Sequence, residues 1–138
     1  MTTPYRPRVY ICGPISRGNL AENINQATEA FAKLAKAGFA PFCPHWSVYS
    51  AEPATPHPSD KVDRVYTVGS AAGYPGLEHS DWIGIDLPWV AVSQAVLRLP
   101  GESKGADLEV ECAMSYGIPV FPDVESLIQY CPWFLNND

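Results

Sequence analysis

Val9-Tyr10-Ile11-Cys12-Gly13-Pro14-Ile15-Ser16-Arg17-Gly18-Asn19 is an apolar run that breaks into a Gly- and Pro-containing loop. A long amphipathic stretch follows, with Leu20, Ile24, Ala27, Phe31 and Leu34 recurring every three or four residues and Glu22, Asn23, Gln26, Glu29 and Lys33 largely on the other side. Gly38 stops this helix, and Phe39 to Cys43 reads as a second buried strand. The expectation is a β-α-β unit with a right-handed crossover and parallel strands, which turns the loop after the first strand toward a ligand crevice. Asn19 is the expected N-cap; Ser16 and Arg17 either hold a phosphate or sugar or form a capping loop with a solvated arginine.

The same geometry recurs downstream. Ala95-Val96-Leu97-Arg98-Leu99 reads as a short buried strand, Pro100-Gly101 ends it, and a helix opens near Gly105. A helix N-terminus offers unpaired N–H groups and a partial positive charge to an anion, Ser103 adds a hydroxyl, and Gly105 allows close approach. Glu109 shares a helix face with Gly105, roughly 6 Å along the axis, and reaches the crevice from there. The competing reading makes Asp107, Glu109 and Glu111 ordinary acids of a helix start, with Leu108 and Cys112 facing the core. Gly117 ends this helix, Ile118 to Phe121 forms a further strand, and Asp123 caps a short helix through Tyr130.

These elements predict a three-layer α/β, Rossmann/flavodoxin-like domain spanning 1–138. Its parallel sheet has four or five strands with helices on both faces, and a long loop is inserted at about 47–79. In that segment prolines and glycines mix with tyrosines, and only 60–68 hints at regular structure. It reads as a substrate lid or an oligomer contact. Trp46, Tyr49, Tyr66, Tyr74 and Trp82 offer aromatic faces to a nucleobase, or pack the loop onto the core. His45, after the second strand at the same crevice edge, either binds sugar, phosphate or base or bonds to backbone.

Taken together, these residues resemble the nucleoside 2-deoxyribosyltransferase superfamily, and within it the 2′-deoxynucleoside 5′-monophosphate N-hydrolase branch. Tyr10-Ile11-Cys12-Gly13 matches the family's first strand and turn; Ser16, Arg17 and Gly18 match its phosphate-holding Ser, Arg and Gly with a one-residue offset. Asp86-Leu87-Pro88-Trp89-Val90 matches an Asp-Leu-x-Trp run at the head of a helix, whose Asp is catalytic in the relatives. Ser103, Gly105, Glu109 and Ala113 match the last motif, whose Glu is the nucleophile. The resemblance implies hydrolysis of the N-glycosidic bond of a (deoxy)nucleoside 5′-monophosphate. Glu109 would act as a nucleophile kept ionised by the helix N-terminus and Tyr10, and Asp86 as the proton source with a raised pKa. It also implies substrate contacts at Gly13, Ser16, Arg17, Gly18, His45, Trp46, Ser103 and Gly105, and a homodimer or higher homo-oligomer. Pro14 stands where the hydrolases have Ser, a form shared with the transferases, and Glu111 where the relatives usually have Gly. The alternatives are a transferase exchanging bases between deoxynucleosides and a non-enzymatic nucleotide-binding protein.

A net charge of −6 without a basic stripe argues against a nucleic-acid polymer as partner. No run of about 18 apolar residues and no signal-like segment at Met1 is present, so a cytoplasmic protein with no membrane contact is expected. Cys12, Cys43, Cys112 and Cys131 lack CxxC pairing, and with His45, His57 and His79 they show no ligand spacing; reduced thiols, no metal and no cofactor are expected. The apolar tail from Cys131 to Asp138 suits an interface with a neighbouring subunit.

Overall fold

The computed structural model describes residues 5–15, 17–45 and 79–130. The expected structure at 60–68, the stacking candidates Trp46, Tyr49, Tyr66 and Tyr74, the substrate candidate Ser16 and the apolar tail lie outside these residues.

Strand β1 (Arg8–Cys12) leads into α1 (Leu20–Lys36), and the chain returns through β2 (Ala40–Phe42). The Asn19 side chain caps α1 by accepting from the Glu22 N–H, and Gly38 takes φ +102 where the helix turns into β2. Leu20, Ile24, Ala27, Ala30 and Leu34 are buried, the face that the three-and-four spacing marked, with Phe31 packed at its margin. Helix α2 (His79–Ala91), β3 (Ala95–Arg98), α3 (Lys104–Ser115), β4 (Val120–Phe121) and α4 (Val124–Tyr130) complete the described elements.

The four described strands pair in parallel throughout, in the order β2-β1-β3-β4. Alternate residues of the central strands face opposite layers. Val9, Ile11 and Leu97 pack with α1 and α4, while Tyr10, Cys12 and Val96 pack with Val90 of α2 and with Ala106 and Ala113 of α3. The architecture is the expected three-layer, Rossmann-like one. Chain direction across the sheet reverses between β1 and β3, the place where doubly wound folds open a crevice at the carboxyl ends of their strands.

The two loops at that crevice are packed to contact. Leu99 donates its N–H to the Cys12 carbonyl at 2.8 Å, and a Cβ on Gly13 would stand 2.8 Å from Leu99 Cβ. Gly101, at φ +117, lies against Pro14 so closely that its Cβ would meet Pro14 Cγ at 2.7 Å. Glycine at 13 and 101 is therefore what lets the β1 and β3 loops close on each other.

One boundary differs from expectation. Asp86 was expected at the head of a helix, yet α2 starts at His79 and carries Asp86 in its second half. That expectation came from the resemblance of the run to the family's; here the helix begins earlier and continues through Pro88, which has no N–H for the Gly84 carbonyl. The loop expected at 47–79 accordingly ends before its last residue.

Among the described residues no helix is long and apolar enough to cross a membrane, and no His, Cys, Asp and Glu side chains form a metal-holding group.

Candidate active site

At the carboxyl ends of β1 and β3 lies a cavity of about 220 Å³. Its walls come from Cys12, Gly13, Ile15 and Arg17 after β1, from Trp82, Ile83 and Asp86 on α2, and from Ser103, Gly105 and Glu109 on α3. Lys104, Glu102, Ala106 and Pro44 complete the lining. Of the residues singled out in the sequence, Gly13, Arg17, Trp82, Asp86, Ser103, Gly105 and Glu109 thus converge on one space, with Tyr10 directly beneath.

Helix α3 is oriented by the site rather than by hydropathy. Glu109 is 6% exposed whereas Leu108, its neighbour, is 44% exposed. Ala106 and Ala113 bury the same face as Glu109, so the reading with Leu108 facing the core is overturned. Small residues let α3 approach Tyr10 and Val96 closely, and the space left on that face is filled by a carboxyl group. Burying a carboxyl requires partners. The fully buried Tyr10 hydroxyl supplies one, donating to Glu109 Oε2 at 2.8 Å. Asp86 comes from α2 to interact with both the Tyr10 hydroxyl and the Glu109 carboxyl.

Burial dominates the electrostatics of this cluster. It pushes Glu109 up to about 8, the Asp86 charge adding to the rise while Tyr10 and Arg98 oppose it. Burial also raises Asp86 to about 6, with Tyr10 and Glu109 pulling it back. Tyr10 is raised far out of its ordinary range by burial and by the two carboxylates, so the phenol keeps its proton. The pair therefore titrates as a unit that holds one proton near neutral pH, with Glu109 the more basic member. This corrects the expectation that the helix N-terminus and Tyr10 keep Glu109 ionised: their pull is smaller than the cost of removing the carboxylate from water.

At the other end of the cavity the first turn of α3 is held by Ser103, whose Oγ accepts the Ala106 N–H at 3.1 Å. The hydroxyl expected to meet ligand is thus also the helix cap, and the helix opens at Lys104. Arg17 faces across to Glu102 at 3.1 Å, both side chains largely exposed. The β1–α1 loop is fixed by Asn23, expected on the solvent side, whose amide donates to the Ile15 and Arg17 carbonyls at 3.0 and 2.7 Å. Gly18 does not line the cavity; it takes φ +84 beside the α1 cap. His45 is fully buried outside the cavity walls with Nε2 3.0 Å from the Pro14 carbonyl, which is the backbone-bonded alternative. Burial lowers its pKa to about 4, keeping it neutral, and Nδ1 has no hydrogen-bond partner among the described residues. Trp46 lies outside the described residues.

Trp82, one of the aromatic residues expected to offer a face to a base, lines the cavity one turn before Asp86 on α2, and Ile83, which the sequence did not mark, lies beside it. Phe42 and Trp89 stack at 5.5 Å and 24°, and Phe42 reaches Tyr10 at 5.6 Å, so an aromatic run leads from the carboxyl pair toward the surface. Neither Phe42 nor Trp89 was singled out as a site residue.

In comparisons with known proteins, no family model matches the chain, no characterised protein matches it, and no solved structure matches it.

Proposed function

We propose that the protein cleaves the N-glycosidic bond of a (deoxy)nucleoside 5′-monophosphate and releases the free base. The observation that carries this reading is the buried Tyr10–Glu109–Asp86 cluster at one end of a cavity whose other end is a helix N-terminus. Glycosyl cleavage asks for one carboxylate at the anomeric carbon and one protonated group at the leaving atom. A coupled pair holding a single proton supplies both. The motif resemblance points the same way, assigning Glu109 to the sugar and Asp86 to the base.

In the reaction, Glu109 attacks the anomeric carbon as a carboxylate. The C–N bond breaks with its electrons going to the base, and Asp86 delivers the proton that neutralises it. Water, deprotonated by Asp86, then displaces the sugar from Glu109. Because the free pair keeps its proton on Glu109, binding must move it to Asp86. Tyr10, touching both groups, stabilises Glu109 once it is ionised. The 5′-phosphate meets the α3 N-terminus at Ser103 and Gly105, with Arg17 and Lys104 at the rim.

A transferase exchanging bases between nucleosides is the second reading, favoured by Pro14 and by the Arg17–Glu102 pair, which already satisfies the arginine. Incubating the protein with nucleosides and their 5′-monophosphates and separating free base by chromatography decides between them. Turnover of monophosphates supports the hydrolase. Turnover of nucleosides only, with base exchange when a second base is added, supports the transferase. No base release from any of them overturns both. A cytoplasmic homo-oligomer belongs to this same proposal.

A further inference from the structure

Arg98 is the lone charged residue of β3 and closes it at the cavity. It pairs in register with Cys12, which places its side chain on the sheet face of Tyr10 and Cys12, under α3. The side chain is 20% exposed. Its guanidinium donates to the Leu99 carbonyl, to the Gly101 carbonyl at 2.9 Å and to Asp107 Oδ1 at 3.1 Å. A cation beside a helix N-terminus opposes the helix dipole, so helix stability does not account for it. Two other consequences do. Drawing the Gly101 carbonyl toward the guanidinium turns the Glu102 N–H, anti to it across a trans peptide, to the opposite side. Meanwhile the charge bears on Glu109, whose other charged or titratable neighbours are Tyr10 and Cys12 on β1 and Asp86 on α2. Cys12 on β1 and Asp107 on α3 complete the surroundings of the guanidinium.

We propose that Arg98 is a positioning residue of this site: its forked guanidinium holds the 99–103 turn in the shape that receives the anionic end of the substrate, and its charge favours Glu109 as a carboxylate. The turn half of this inference rests on the function proposed above; the charge half does not. A lysine keeps the charge but loses the planar fork, and a glutamine loses the charge, so the two roles separate by substitution.

The test compares Arg98→Gln and Arg98→Lys with the unaltered protein by two readouts. The first is the titration of Glu109 by ¹³C NMR of labelled carboxyl groups, which needs no activity. Arg98→Gln moves the Glu109 midpoint up by about one pH unit, as for loss of a neighbouring opposite charge, while Arg98→Lys leaves it near the original. The second is base release from a deoxynucleoside 5′-monophosphate against pH. Arg98→Gln shifts the basic limb, set by loss of the pair's last proton, up by the same interval, and both variants raise KM about tenfold. A Glu109 midpoint unmoved in Arg98→Gln overturns the charge role, and an unchanged KM in Arg98→Lys overturns the turn role. If Arg98→Gln does not fold, Arg98→Met, which also removes the charge but keeps an unbranched stem, replaces it in both readouts with the same expected and refuting results. Absence of base release by the unaltered protein defeats the proposed function but not the NMR result.

Discussion

Replacing Glu109 by glutamine should make the protein more stable above neutral pH while abolishing its activity. In the folded protein burial carries the Glu109 carboxyl from its ordinary value of 4.5 to about 8. A group whose folded value is raised holds its full stabilising contribution below the unfolded value and loses it as pH rises through the folded one. Between about pH 4.5 and pH 8 the native state therefore binds a proton that the unfolded chain has released, and stability falls with rising pH. At about 1.4 kcal/mol per pH unit, the ceiling is about 5 kcal/mol. Sharing the proton with Asp86 lowers this to about 2–4 kcal/mol. Glutamine cannot ionise, still accepts from the Tyr10 hydroxyl, and presents an N–H toward Asp86. Glu109→Gln should therefore match the parent near pH 5 and exceed it by about 2–4 kcal/mol at pH 8.5, or roughly 6–12 °C in Tm for a chain of this size. Denaturant unfolding at a series of pH values between 5 and 9 measures this directly. A variant no more stable than the parent at pH 8.5, or a difference that does not change with pH, refutes the assignment of Glu109 as a buried, proton-holding carboxyl.

Other substitutions probe the rest of the site. Gly13→Ala places a Cβ 2.8 Å from Leu99 Cβ, close to backbone, so thermal unfolding should show a loss of about 1–3 kcal/mol, with weakened turnover as the β1 and β3 loops part. Glu102→Gln frees Arg17 from an exposed pair worth about 0–1 kcal/mol. Calorimetry should find phosphate-ester binding tightened by no more than about fivefold, less at high salt, and a weakened affinity would instead place Glu102 itself on the ligand. His45, buried neutral with its pKa lowered to about 4, contributes stability above pH 6.5 that is lost as pH falls toward 4. The stability gap between the parent and His45→Asn should therefore narrow over that interval; a constant gap contradicts the buried neutral imidazole.

The β1–α1–β2 unit is legible because every local signal agrees. An apolar run, a capping Asn19, buried positions at three- and four-residue spacing and a terminal Gly38 all point to one arrangement, and the same logic finds β3, α3 and β4. Helix α2 is less legible. Its Trp, Ile, Leu and Val positions run all round it with no polar face to set a period, so its start was not legible and Ile83 was not drawn onto the Asp86 face, while Trp82 was marked only as an aromatic residue of the long loop. For α3, the rule that puts leucine inside and acids near a helix start favoured Leu108 over Glu109. The structure reverses it because Ala106 and Ala113 make the close-packing face. The convergence of Tyr10, Asp86 and Glu109 is what the family resemblance implied rather than what spacing alone gives. Which carboxyl holds the proton follows from neither, since that depends on desolvation, a property of the folded interior. Arg98 reads as an oddity within an apolar strand, and only its bonds to Leu99, Gly101 and Asp107 give it a role.

The most direct measurement is the rate of free-base release from deoxynucleoside 5′-monophosphates by the parent protein, Glu109→Gln and Asp86→Asn, each confirmed as folded. The proposed chemistry predicts release by the parent and a loss of at least about a hundredfold in either variant, the scale of removing a nucleophile or a general acid. Parent-like release by either variant would contradict the paired-carboxyl mechanism.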